Sequence, residues 1–291
     1  MTPESVKEIA QLATNATAAS VLTEGDVKML VFPTGEGKVE VRSLKPEIDA
    51  FRTAPDRRRG TAKASTLDSF VDLVNRHKDE GSAIFGSIDT AQPKFIAVVD
   101  YHAIDHSPRF GQHRIEYVFP ISDEWAAWRG RNGASMDQSA FASFVEDHVA
   151  ELSAPYDAER GQIEGLFGTK FGLPSELIQL SRGLALNVES TVKEIRVLQS
   201  GEAQIQYDEV HKDGAGKPLT VPGLFVISIP LFVGAEPTRL IARLRYRRDN
   251  GIKWSFHLWR WAEAVRQSLI SDLDRAAKDT GLPTFEAMPE A

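Results

Sequence analysis

The chain has 291 residues, 42% of them apolar and 26% charged, with a net charge of −7 and no cysteine. That composition belongs to a soluble globular protein with room for one large domain or two small ones. It excludes disulfides, thiolate metal sites and a cysteine nucleophile, and an acidic chain does not coat nucleic acid over its whole surface.

The opening "MTPESVKEIAQLATNATAAS" lacks a basic segment followed by an apolar one, so no secretory signal is read there. Val6, Ile9, Leu12 and Ala13 predict a short helix instead. "VKMLVFP" (27–33) and "KVEVRSL" (38–44) flank a glycine-containing turn and predict a β-hairpin. "TGEGK" within that turn lacks the spacing of a phosphate-binding loop and precedes a strand rather than a helix. The polar, basic stretch 51–65, interrupted by Pro55 and Gly60, reads as a flexible loop or arm.

Ser65 or Thr66 can cap a helix running to about His77, with Leu67, Phe70, Val71 and Val74 at helical spacing. Three strands follow in 82–88, 94–102 and 114–121. A helical block comes next: Ser122 caps a helix bearing Trp125 and Trp128. Residues 137–152 place Phe141, Phe144, Val145, Val149 and Leu152 on one stripe, and Pro174 opens a further helix. From about Thr191 the period changes to two, predicting five antiparallel strands with turns at Asp213-Gly214 and Asn250-Gly251. A closing helix over 262–279 ends at Gly281. Strands and helices are segregated, so the class is α+β: a three-strand central segment and a five-strand C-terminal meander, with a helical block between and a helix at the end. The chain reads as 1–65 (helix, hairpin, basic arm), 66–188 (α+β segment with the helical block) and 189–291 (meander and last helix). The latter two are read as one compact unit.

"RLIARLRYRRDNGIKWSFHLWRW" (239–261) carries the strongest partner signal. A two-residue turn at Asn250-Gly251 would mix cations and aromatics on both faces. A three-residue Asp-Asn-Gly loop pairs Arg247 with Lys253, Tyr246 with Trp254, Arg245 with Ser255, Leu244 with Phe256 and Arg243 with His257. That second register gathers Leu244, Tyr246, Trp254, Phe256 and Leu258 on one face, and burial therefore selects it. The other face then carries Arg243, Arg245, Arg247, Lys253, Ser255 and His257. Between Arg239 and Arg266 eight Lys/Arg stand against two acidic residues, a local balance of +6 that leaves the rest of the chain near −13. A row of arginines can hold phosphates through bidentate, charge-assisted bonds. It can equally be a solvated face or an intersubunit face neutralised by carboxylates. Arg57, Arg58, Arg59 and Lys63 would supplement a polyanion surface.

"VVDYHAIDHSPRFGQH" (98–113) holds three histidines and two aspartates. Asp100, His102 and His113 form a two-histidine, one-carboxylate set of the kind that binds a transition metal, if the strand register brings them together. One slip turns His113 away, and the commoner outcome for such a stretch is a hydrogen-bonded polar loop. No GxSxG or dinucleotide fingerprint is present.

"VVDYHA", "HRIEYVFPISDEWAAW", "FASFVEDHVAEL", "SRGL", "SGEAQIQYDE", "IPLFVG", "RLRYR" and "TGLPTFE" together resemble the YfdQ-like family of phage and prophage proteins, a domain of unknown function. The resemblance runs from about residue 66 to Glu286. It implies a bacterial cytosolic protein encoded by a phage or prophage, in the company of recombination and replication functions, and it carries no catalytic residues. The expected function is a non-enzymatic, homo-oligomeric accessory protein without cofactor or membrane association, binding nucleic acid or another polyanion through the basic face. The alternatives are a self-assembling ring or shell protein and a metal-dependent enzyme using Asp100, His102 and His113.

Overall fold

The computed structural model describes residues 3–8, 20–24, 27–35, 38–105, 107–183, 194–197, 203–206, 211–212, 218–219, 221–248 and 252–290. Ile9, Leu12, Ala13, His106 and both predicted Asp-Gly and Asn-Gly turns lie outside them. The chain divides into two units, Met1–Gly60 and Thr61–Ala291.

In the first unit, α1 (3–8) precedes an antiparallel sheet of β1 (Ser20–Glu24), β2 (Val27–Gly35) and β3 (Lys38–Ser43), followed by the short α2 (Lys45–Ala50). The predicted hairpin is β2–β3, with Val31 opposite Val41 and Phe32 opposite Glu40. β1 adds a strand that the sequence pattern did not announce. Because strand side chains alternate, pairing puts Leu22, Val27, Met29, Val31, Val39 and Val41 on one face. None of the described residues of this unit is buried.

The stretch read as a flexible arm is only partly irregular. Bends occupy it to residue 59, and β4 (Gly60–Ala64) then forms the edge of a sheet. Its side chains are almost all exposed, so no apolar alternation marks it; the neighbouring strand supplies the ladder.

In the second unit, Thr66 caps α3 (Leu67–His77), its hydroxyl accepting from the Ser69 amide at 3.1 Å. Leu67, Phe70, Val71 and Val74 are the buried stripe. β5 (Ala83–Ser87), β6 (Lys94–Val98) and β7 (His113–Val118) are the three central strands. Ser122 caps α4 (Asp123–Arg131). Next come β8 (Met136–Asp137), α5 (Gln138–Asp147), β9 (Leu152–Ser153), α6 (Asp157–Glu159), a π-helical turn at Arg160–Glu164, α7 (Gly165–Phe167) and α8 (Pro174–Gly183). β10 (Glu194–Val197) pairs with β11 (Ala203–Gln206), and β12 (His211–Lys212) with β13 (Pro218–Leu219). β14 (Leu224–Pro230), β15 (Pro237–Arg248), β16 (Ile252–Trp259), α9 (Trp261–Thr280) and β17 (Thr284–Phe285) complete the chain.

Two five-stranded sheets result, in the orders β17-β5-β6-β7-β4 and β8-β16-β15-β14-β9. The class is α+β, as the segregated pattern predicts. Membership of the second sheet differs from a simple meander: β10 and β11 form their own ribbon, and β8 and β9 take the two edge places. The predicted helix over 137–152 stops at Asp147 for the same reason. A 3-10 turn (Val149–Glu151) follows, and Leu152 joins Ile227 in the sheet rather than extending the helical stripe. Trp125, Trp128, Trp254, Phe70, Phe95, Phe141 and Phe256 are fully buried. One cluster joins them to Val265, Leu269, Leu273 and Ala276 of α9, whose last carbonyls are closed by Gly281 in the left-handed conformation.

Candidate polyanion-binding face

The β15–β16 register is the one that burial demands. Arg247 faces Lys253, Tyr246 faces Trp254, Arg245 faces Ser255, Leu244 faces Phe256 and Arg243 faces His257. Leu244, Trp254, Phe256 and Leu258 are buried on the inner face. Trp254 stacks on Phe141 at 4.8 Å, and its indole N–H donates to Gln138 Oε1 at 2.6 Å. The inner face is therefore locked, and the cations have only the outer face to occupy.

That outer face is not uniform. At the β14 end it is covered: Ile163, Phe167 and Phe171 pack with Leu224, Val226 and Ile241. Arg243 lies over the Phe167 ring at 5.3 Å, and Phe167 meets Trp259 edge-on. Arg239 is fully absorbed. Its guanidinium donates to both carboxylate oxygens of Glu159 (3.0 and 2.8 Å), to Ser153 Oγ and to the Ala154 carbonyl, and stacks 3.7 Å above Tyr156. Arg243, Arg245 and His257 have further partners within the chain.

The distal end is more open. β15 is twelve residues long and β14 seven, so Arg245 and Arg247 lie beyond the paired length of β14. Arg247 and His257 are exposed, and Arg245 and Lys253 half-buried. On the far side of Lys253 stands Asp137 of β8, whose carboxylate also accepts the Ala140 amide as the cap of α5. Arg247 and Lys253 thus form a like-charged cross-strand pair with Asp137 beside it among the described residues, an arrangement that costs stability unless negative charge supplies the balance. Arg57, Arg58 and Arg59 belong to the first unit, where Arg57 is half-buried and the other two are exposed; Lys63 lies on β4.

The histidine stretch resolves into a loop held by its own polar groups. Asp100 accepts from the Gln112 and His113 amides at 3.1 and 2.8 Å, which uses both carboxylate oxygens. His102 Nδ1 accepts the Arg109 amide, which turns the ring into the loop. Arg109 then donates to both oxygens of Asp79 at 2.9 and 2.6 Å, tying the loop to the turn before β5. His113 packs against His77 at 5.2 Å. The three candidate ligands point to three different partners, and no group of three His, Asp or Glu side chains among the described residues is placed to hold a metal ion. Sequence spacing could not show this, because Asp100 acts on the backbone of the returning strand.

The fate of Arg239 was also hidden from the sequence. Glu159 and Tyr156 lie some eighty residues upstream, on a segment without a periodic signal. Residues 3–288, nearly the whole chain, match the family described as "Uncharacterized conserved protein (DUF2303)". The protein belongs to the DUF2303 family. Its match to DUF2303 includes most of the first unit as well as the second. No curated protein and no solved structure matches the chain. Among the described residues no helix is long and apolar enough to cross a membrane.

Proposed function

We propose that this DUF2303 protein is a non-catalytic accessory protein that binds a polyanion, nucleic acid foremost, through the distal end of the β15–β16 face. The observation that carries this reading is the Arg247–Lys253 pair, flanked by Arg245 and His257, on a sheet face whose reverse is locked in the core. Arginine forks at strand spacing suit successive phosphates. The resemblance to phage and prophage proteins supports a place beside phage recombination or replication functions in a bacterial cytosol.

Gel-shift titration of single-stranded and duplex DNA at low and moderate salt tests it. Binding should weaken with salt, and Arg245→Ala/Arg247→Ala/Lys253→Ala should lower the log–log salt slope by about one per removed phosphate contact. No binding at low salt, or binding unchanged in the triple variant, rejects the reading.

A second reading, self-assembly, is favoured by the first unit. Six aliphatic and methionine side chains share one face of β1–β3, and Leu22, Val27, Val39 and Val41 are each about half exposed or more. Such a face is the pattern of a contact with a second copy of the chain.

A further inference from the structure

α9 carries two stripes. Val265, Leu269, Leu273 and Ala276 are buried in the core. Gln267, Ser268, Ser271, Asp272 and Arg275 recur at three- and four-residue spacing and line a cavity of about 700 Å³. Its other walls come from the start of α3, from Tyr117 and Phe119 at the end of β7, and from the β14–β15 turn around Gly234. All of these belong to the unit Thr61–Ala291. A cavity of this size is ordinary for a small-molecule site, which typically combines apolar walls with a few convergent polar groups.

Two of the polar groups in it lack partners among the described residues. Tyr117 is 4% exposed, its ring wedged against Phe70 and Phe119, and its hydroxyl, on the cavity wall, makes no hydrogen bond there. Asp272 is half-buried and likewise makes no hydrogen bond or ion pair with a described residue. The nearest cation along the helix, Arg275, is bonded to Asp68 and lies 3.5 Å from Asp279. Burial lifts the Asp272 carboxyl above its ordinary value, with Arg275 only partly opposing. Burial also pushes the Tyr117 phenol up to about 12, helped by the negative charges of Asp272 and Asp68. The local field is negative, and a half-buried carboxylate without a partner is costly unless a ligand supplies the counter-charge.

We propose that this cavity binds a small organic cation, an aliphatic amine. Its ammonium group would sit between the Asp272 carboxylate and the Tyr117 hydroxyl, and its methylene stem would lie along Leu67, Phe119 and Phe232. An ammonium donates up to three hydrogen bonds and therefore satisfies the carboxylate and the phenol oxygen together. A hard divalent cation needs six or more oxygen ligands; of the three carboxylates on these walls, Asp68 is bonded to Arg275 and Glu236 is exposed, which leaves Asp272 and too few oxygens beside it. The stem is what the apolar walls select.

Isothermal titration of the full chain with cadaverine and with spermidine tests the site, with 1,5-pentanediol as the uncharged analogue of cadaverine. Cadaverine should bind saturably at one site and pentanediol should not bind. Asp272→Asn should weaken cadaverine about tenfold or more, the loss of a charge-assisted hydrogen bond, and Tyr117→Phe about threefold. Without amine, Asp272→Asn should melt no lower than the parent, because it removes an unpartnered charge; that keeps loss of binding distinct from loss of fold. Absence of saturable cadaverine binding by the parent overturns the proposal. So does parent-like binding by Asp272→Asn, or equal binding of the diol.

Discussion

Arg239 and Asp79 show how single residues settle what a charge in the sequence means. Arg239 looks like one more member of a basic row, yet Glu159, Ser153, Ala154 and Tyr156 take up its whole guanidinium. The pair is about one-fifth exposed on each side, so truncation strands a carboxylate that water reaches poorly. Arg239→Ala should cost about 2–3 kcal/mol in urea unfolding, and Arg239→Lys should recover only part because an ammonium cannot fork. Asp79 makes a pH-dependent contribution of definite sign. The Arg109 fork holds its carboxyl below the usual range, burial opposes, and the Gly81 amide adds to the lowering. A carboxyl depressed in the folded state stabilises at every pH above its unfolded value, and that contribution is lost as pH falls through the folded value. The loop at 99–113 should therefore stay pinned from neutral pH down to about pH 4 and loosen below it. An NMR titration of the Gly81 amide should show a midpoint below that of a free aspartate, and a midpoint at or above it would contradict the ion pair. The histidines around the same loop were visible in the sequence, but their role was not. Whether Asp100 meets a metal or two backbone amides depends on where the chain returns ten residues later.

Elements with their own periodic signal were legible, and elements defined only by a neighbour were not. The Thr66 and Ser122 caps could be placed because a hydroxyl before an amphipathic run leaves few other readings. The β15–β16 register could be chosen because every alternative exposes Trp254 or buries arginine. By contrast, β8, β9 and β17 are two residues each. They carry no period, and they exist because β16, β14 and β5 present unpaired edges to them. Ser122 joins both kinds of information. Its hydroxyl accepts from the Trp125 amide at 3.0 Å and donates to the Pro230 carbonyl at 2.6 Å, so one side chain starts α4 and fastens it to the end of β14. Ser122 is 3% exposed, and no water replaces either bond when the oxygen is removed. Ser122→Ala should cost about 2 kcal/mol, more than an exposed cap, while Thr66→Ala should cost about 1 kcal/mol. Equal losses in chemical denaturation would mean that the bond to Pro230 contributes nothing.

At the scale of the molecule, the two units differ in what can hold them together. Among the described residues, the three apolar clusters lie between Ala64 and Leu282, within the second unit. The first unit is 60 residues long and has no buried side chain among those described. A segment of that size with no buried side chain among its described residues gains little from apolar burial there, which is why its apolar sheet face is the place to test for an intermolecular contact. Arg57 to Arg59 precede β4 in a bend, with Arg58 and Arg59 exposed, and offer trypsin a first cut between the units. Brief digestion should leave a fragment starting near Gly60 that unfolds within a few degrees of the parent, because the parent's core is intact in it. If the sheet face joins copies of the chain, the parent should be oligomeric by mass photometry. The fragment should then be monomeric, and Val39→Lys/Val41→Lys in the full chain should likewise be monomeric without altered melting. A parent that is monomeric, or a fragment that keeps the parent's assembly, would remove the first unit from self-association and leave the basic hairpin face to account for any oligomer.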